Sequence, residues 1–288
     1  MITASLVKEL RERTGVAMME CKKALTETDG DIDAAIKILR ERSGAKAEKK
    51  ASREANEGII AAKIDDSGKS GILVEVNCET DFVAKNDNFQ SFVGEIADTI
   101  LTSGATELEA ALSSPKGDGT LEEFVKGKVL EMGENLKVRR FERLDLAGEG
   151  AVASYIHLGG KVGVLIEVGA EKAETASSDS FKDLVKDLTL HIAATSPAGL
   201  KREDIPAELV ESEKDIFRKQ MEGQGKPADI LEKIIEGKLG KFYSERCLLE
   251  QGFVKDPDTT IKSLLEAKSK DLGDTISVNR FIRFGLGE

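Results

Sequence analysis

The sequence predicts an α+β protein: a three-helix bundle at the N-terminus, then two repeated α+β subdomains, the second carrying an inserted antiparallel helical hairpin. Three observations predict it. Apolar residues recur at helical spacing across residues 1–42, with no strand-like alternation. The segment Glu57–Ile100 returns as Glu149–Ile192 at a constant offset of 92, with 16 identities over 44 positions and no gap. A second echo, Gly133–Phe141 against Gly273–Phe281, runs at an offset of 140, so 48 additional residues lie inside the second half.

In chain order, Ser5 or Thr3 can cap a first helix carrying Leu6 and Leu10, which Gly15 stops. Ala17, Cys21 and Leu25 line a second helix, and Asp31 caps a third with Ile32, Ala35, Ile36 and Leu39 on one stripe. Residues 1–44 form this bundle. The charged stretch within 45–56 has no apolar face and is a helical or flexible linker.

The first repeat occupies 57–144. Strand-like runs at 57–64 and 71–78 flank the polar turn Asp65-Asp66-Ser67-Gly68. A helix follows whose Phe89, Phe92, Val93, Ile96, Ala97 and Ile100 make one stripe able to cover a sheet face. Residues 102–128 carry no assignable pattern. The second repeat, 145–288, reproduces strand, strand, helices, strand. Its insertion, about 197–245, opens with Pro206-Ala207-Glu208-Leu209 on a charged helix through about Glu222, turns at Gly223-Gln224-Gly225-Lys226-Pro227, and returns as Ala228–Phe242. Such a projection either meets a partner or is simply solvated.

The net charge of −11 argues against a phosphate-neutralising surface, because nucleic-acid binding rests on Lys and Arg displacing counterions. No direct nucleic-acid partner is expected. Cys21, Cys78 and Cys247 are isolated and fit neither a disulfide framework nor a zinc knuckle. No basic region leads into an apolar run, and no window approaches a membrane-spanning length. A cytoplasmic protein with no membrane partner is expected.

Ser67-Gly68-Lys69-Ser70 resembles the end of a phosphate loop, but Lys63 stands where that motif needs glycine and a strand follows it instead of a helix. Of the two histidines, His191 sits opposite Thr99 on a helix and reads as a packing residue; His157 ends a strand at an exposed turn, free for a partner. No nucleophile–base spacing and no metal-ligand cluster is present. The chain is therefore expected not to be an enzyme and to need no cofactor or metal.

The two copies disagree at one short turn. The first reads Thr80-Asp81-Phe82-Val83 where the second has Lys172-Ala173-Glu174-Thr175. The local account is that Asp81 or Thr80 caps the following turn while Phe82 staples the chain. Since the sister copy begins its helix without either residue, the fold does not require them, and Asp81-Phe82 becomes a candidate working part.

At these residues the chain resembles the bacterial elongation factor Ts family, guanine-nucleotide exchange factors for elongation factor Tu. The likeness runs through Leu10–Gly15, Met18-Met19-Glu20-Cys21-Lys22-Lys23-Ala24-Leu25, Val76–Lys85 and Phe281–Phe284. It implies a bundle like a ubiquitin-associated domain, a duplicated core and an inserted hairpin. It implies further that Met18, Met19 and Lys22 lean on the GTPase domain. Thr80, Asp81, Phe82 and Val83 form a tip that enters near its magnesium and phosphate site. His157 and Val254 belong to a contact surface on the second subdomain. Any effect on GDP and magnesium would be indirect, through elongation factor Tu. Longer members continue into a terminal helix where this sequence has Phe284-Gly285-Leu286-Gly287-Glu288. The competing expectation is a partner that binds or stabilises a translational GTPase without exchanging its nucleotide.

Overall fold

The computed structural model describes residues 2–221 and 228–288. Helices α1 (Ala4–Thr14), α2 (Met18–Glu27) and α3 (Ile32–Lys50) enclose a core of Val7, Leu10, Val16, Cys21, Ala24, Leu25, Ala35 and Leu39. Thr3, not Ser5, caps α1 by accepting the Leu6 amide at 3.2 Å, and Gly15 ends it at φ 69°. Ala17, expected on the buried face of α2, instead stands exposed as its N-terminal cap, and Val16 fills that space. The segment after the bundle, 45–56, is helical through Lys50, and residues 51–56 leave the helix as turn and coil. Helix α3 runs on to Lys50, packs along the later helix Leu121–Met132, and delivers the Lys50 ammonium to the Gly133 carbonyl.

The first half is β1 (Glu57–Ile64), β2 (Ser70–Cys78), α4 (Asp81–Ala84), α5 (Asp87–Ser103), α6 (Leu108–Leu112), a two-residue-stranded hairpin of β3 (Pro115–Lys116) and β4 (Gly119–Thr120), α7 (Leu121–Met132) and β5 (Lys137–Asp145). The unassigned stretch 102–128 is thus short pieces packed beneath α5, followed by the first eight residues of α7, which a Thr120/Glu123 capping box starts. Strands pair antiparallel in the order β1-β2-β5, and Phe89, Phe92, Val93, Ile96 and Ile100 of α5 are fully buried against the sheet.

The second half repeats this with β6 (Glu149–His157), β7 (Val162–Ala170), α8 (Ala173–Ser177), α9 (Asp179–Thr195), α10 (Ala207–Met221), α11 (Ala228–Arg246), a small hairpin of β8 (Gly252–Phe253) and β9 (Asp256–Thr260), α12 (Ile261–Leu272) and β10 (Ser277–Gly285). Its sheet order, β6-β7-β10, matches the first, and α5 and α9 keep the sequence offset residue for residue. Gly58 and Gly150 show why a glycine recurs: at φ 139° and 135°, a Cβ on either would lie 2.1 Å from the carbonyl oxygen of Val76 or Val168.

The insertion is helical as predicted. Helices α10 and α11 pack through Leu209, Val210, Phe217, Ile235, Leu239 and Phe242, and α11 continues to Arg246, past the predicted end at Phe242. The predicted turn Gly223–Pro227 and the residue Glu222 lie outside the described residues.

The halves meet by reciprocal contacts. Ile60 donates to Gly160 O and Val152 to Gly68 O, both at 2.8 Å. Ile60, Leu73 and Leu144 face Val152, Leu165 and Phe284 in a shared core. Each contact maps onto the other when the halves are exchanged, the signature of an approximate two-fold relation.

Candidate functional site: a clamped tip carrying Asp81 and Phe82

Strand β2 ends at Cys78, whose complete burial pushes its thiol up to about 12 and removes it as a nucleophile. The chain then turns outward. The Thr80 hydroxyl accepts the Val83 amide at 3.3 Å, so Thr80 is the cap of α4. That hydroxyl also donates to Glu134 Oε1 at 2.6 Å, while Glu134 Oε2 accepts the amides of Glu79 at 3.0 Å and Thr80 at 3.1 Å. In return Glu79 Oε1 accepts the Asn135 amide at 2.6 Å. Two loops far apart in sequence are thereby locked together.

On this base, Ala84 and Val83 turn into the first-half core, and Phe82 is left 83% exposed. That is the opposite of a staple. Asp81 is also outward, with Lys85 Nζ at 2.7 Å, and this cation holds its carboxyl below the usual carboxylate range.

The twin turn has the same clamp without the tip. Asp274, at the position equivalent to Glu134, accepts the amides of Glu171 at 3.2 Å and Lys172 at 3.1 Å. Helix α8 then begins without a side-chain cap, and the exposed residue is Glu174. The clamp is scaffold; the acidic-aromatic pair belongs to one half only.

The other predicted residues fall on two further surfaces. Met18, 46% exposed, and Met19, 64% exposed, project from α2, and Met19 and Lys22 line a shallow depression of about 260 Å³ with Lys23, Thr26 and Glu27. His157 is exposed at the end of β6, but it is not wholly free: its Nδ1 lies 2.9 Å from the Tyr155 hydroxyl and the two rings stack. Its turn is close to the base of the tip, since Lys161 pairs with Glu57 at 2.7 Å and Glu57 faces Cys78 across β1 and β2. Val254 is exposed, and its amide donates to Nδ1 of the fully buried His191, whose Nε2 hydrogen goes to Gln251 Oε1 at 2.9 Å. His191 is therefore the packing residue expected of it, and it also fixes the backbone of a candidate contact residue.

A family model described as "Elongation factor TS" matches residues 79–288. Full-length relatives named Elongation factor Ts include those of Trichlorobacter lovleyi, 47% identical over 290 residues, and Nitratiruptor sp., 46% identical over 287; each match covers 100% of this chain and 93% of the relative. A Clostridium perfringens relative is 46% identical over 289 residues, covering 100% of this chain and 94% of its own.

The chain belongs to the elongation factor Ts family.

As an elongation factor Ts family member it is a translation elongation factor. No helix among the described residues is long and apolar enough to cross a membrane, and none of their His, Cys, Asp and Glu side chains form a group able to hold a metal ion.

Inspection of residue types overlooked several parts of the surface. Leu158, 69% exposed, and Ile156 flank His157 and extend its apolar character. Glu134 was visible as a member of the repeated Gly133-Glu134-Asn135 and Gly273-Asp274-Thr275 echo, but its hydrogen bonds reach back more than fifty residues and leave no spacing signal.

Proposed function

We propose that this chain is a guanine-nucleotide exchange factor that binds elongation factor Tu and promotes GDP release in the cytoplasm, with no chemistry of its own. The observation that carries the proposal is Phe82, 83% exposed on a rigid turn whose twin has no counterpart. A large apolar side chain held out in water costs free energy that a partner can recover.

A GTPase holds its nucleotide through backbone amides at a helix N-terminus and through magnesium bridging protein and phosphates. A factor that binds the distorted, nucleotide-poor state more tightly than the loaded state must loosen nucleotide by the same ratio that nucleotide loosens the factor. Phe82 is the wedge in this scheme and Asp81 the group that disturbs the polar network around magnesium. Burying one phenylalanine contributes about 1.5–3 kcal/mol, roughly one to two powers of ten. The wedge alone is too small for a large acceleration, so the grip comes from Met18, Met19 and Lys22 on the bundle and from His157 and Val254 on the second half.

The deciding experiment follows fluorescent GDP leaving elongation factor Tu with wild-type protein and with Phe82→Ala. Acceleration by the wild type and a lower maximal rate with the variant support exchange. Binding without any acceleration by the wild type would establish a non-exchanging partner instead.

A further inference from the structure

We propose that Glu134, acting through the Thr80 hydroxyl, is a positioning residue that aims Phe82; the proposal rests on the exchange-factor function above. Thr80 then serves the tip from behind, as a strut, and not as a residue that touches the partner.

The geometry supports this in three steps. First, Glu134 spends both carboxylate oxygens on the tip's approach: Oε2 on two successive amides, Oε1 on the Thr80 hydroxyl at 2.6 Å. Hydrogen bonds to an ionised acceptor are the strong ones. Second, the same hydroxyl accepts the Val83 amide, so one continuous chain, Glu134 Oε1 to Thr80 Oγ1 to Val83 N, reaches into α4 on the far side of Phe82. Third, the twin is wired differently. Asp274 holds the equivalent two amides and bonds the Thr175 hydroxyl on α8 directly, while Lys172 replaces Thr80 and α8 has no side-chain cap. The carboxylate-to-amide clamp is therefore common to both halves, whereas the relay through a helix-capping hydroxyl to the next amide occurs only where a wedge stands on it.

The reason is mechanical. Helix α4 has four residues, too short to hold its own direction, and an exposed phenylalanine on it finds no packing to fix its angle. A wedge delivers its burial energy only if it arrives pre-aimed, since ordering it on contact consumes part of the gain. The turn bearing Glu134 is itself braced, by Lys50 on the Gly133 carbonyl and by Asn135 Nδ2 on the Arg53 carbonyl at 2.8 Å. The aim of the tip is thus referred to the end of α3 as well as to the first-half sheet.

The test uses the full chain. Because the chain contains no tryptophan, Phe82→Trp places a single tryptophan at the tip, excited apart from Tyr155 and Tyr243. Adding Glu134→Gln or Thr80→Val to Phe82→Trp should raise the amplitude of the fast component of its anisotropy decay, and adding Asp274→Asn should not. In GDP release from elongation factor Tu, Glu134→Gln should lower the maximal rate about tenfold, the scale of losing hydrogen bonds to a charged group, with the half-saturating concentration changed less than about twofold. Asp274→Asn should leave that rate within about twofold, and in a Phe82→Ala background Glu134→Gln should cost little more. Equal losses from Glu134→Gln and Asp274→Asn, or undiminished loss in the Phe82→Ala background, would overturn the positioning role in favour of a general stability effect. So would unchanged tip anisotropy. If Phe82→Ala itself exchanges nucleotide as the wild type does, the wedge fails, and the anisotropy result stands apart from it.

Discussion

Lys161 of the second half meets Glu57 of the first at 2.7 Å, and the same two positions exchanged, Lys69 and Glu149, meet at 3.6 Å. The duplicated halves thus grip each other by one contact used twice, and the apolar core between them is shared in the same way. Truncating either member of a symmetric pair in that core should cost alike. Leu73→Ala and Leu165→Ala, both fully buried, are each expected to lower stability by about 2–5 kcal/mol in denaturant unfolding. A several-fold disparity between them would argue against an equivalent interface.

The tip should separate function from stability. Phe82 packs against little, so Phe82→Ala is expected to leave unfolding free energy within about 0.5 kcal/mol of wild type, as ordinary surface substitutions do. Calorimetry on the free protein checks this beside the GDP-release assay.

Lys85 and Asp81 form an exposed pair one helical turn apart. Pairs of this kind contribute little to folding, so Lys85→Met should change stability by less than about 0.5 kcal/mol. Any effect on GDP release then reports the charge presented to the partner, and its dependence on ionic strength should be weaker in the variant.

Burial holds the His191 pKa below its ordinary value. The folded state consequently keeps His191 neutral at a pH where the unfolded chain already takes up a proton. Protons then bind preferentially to the unfolded state, and stability must fall as pH drops below about 6.5. Thermal unfolding between pH 7.5 and 5.5 should show this loss, with a shallower slope in His191→Gln. An unchanged slope would place the acid sensitivity elsewhere.

Glu75 on β2 is fully buried between Arg139 and Arg140, at 3.2 and 2.8 Å, and also accepts the Gly287 amide. Its counterpart Glu167 is only half-buried and bonds Asn279. Glu75→Ala should destabilise by about 3 kcal/mol, since it strands two cations beside a buried site, and Glu167→Ala by under about 1 kcal/mol.

Much of the architecture was legible because it is periodic. The α5 stripe, the paired strands and the inserted helices each repeat a pattern that burial imposes on residue type, and duplication showed the core positions of the shared strands and of α5 and α9 twice. Ala17 misled because its spacing fits a helix face equally well one residue too early, and only packing against α1 and α3 selects Val16. Residues 102–120 carried no pattern because their elements are two to five residues long, below the length at which periodicity exists, and the unread stretch through Lys128 also hid the first eight residues of α7.

Composition and repetition alone determined the α+β class, the two-part core, the inserted helices and the single asymmetric turn at Asp81-Phe82, since each is a regularity, or a break in one, along the chain. Tertiary structure decided which way that turn faces, that Thr80 and not Asp81 caps it, that Tyr155 holds one nitrogen of His157, and that Glu134 braces the whole tip. Those outcomes depend on hydrogen bonds and exclusion from water between segments distant in sequence, and neither leaves a mark on local residue order.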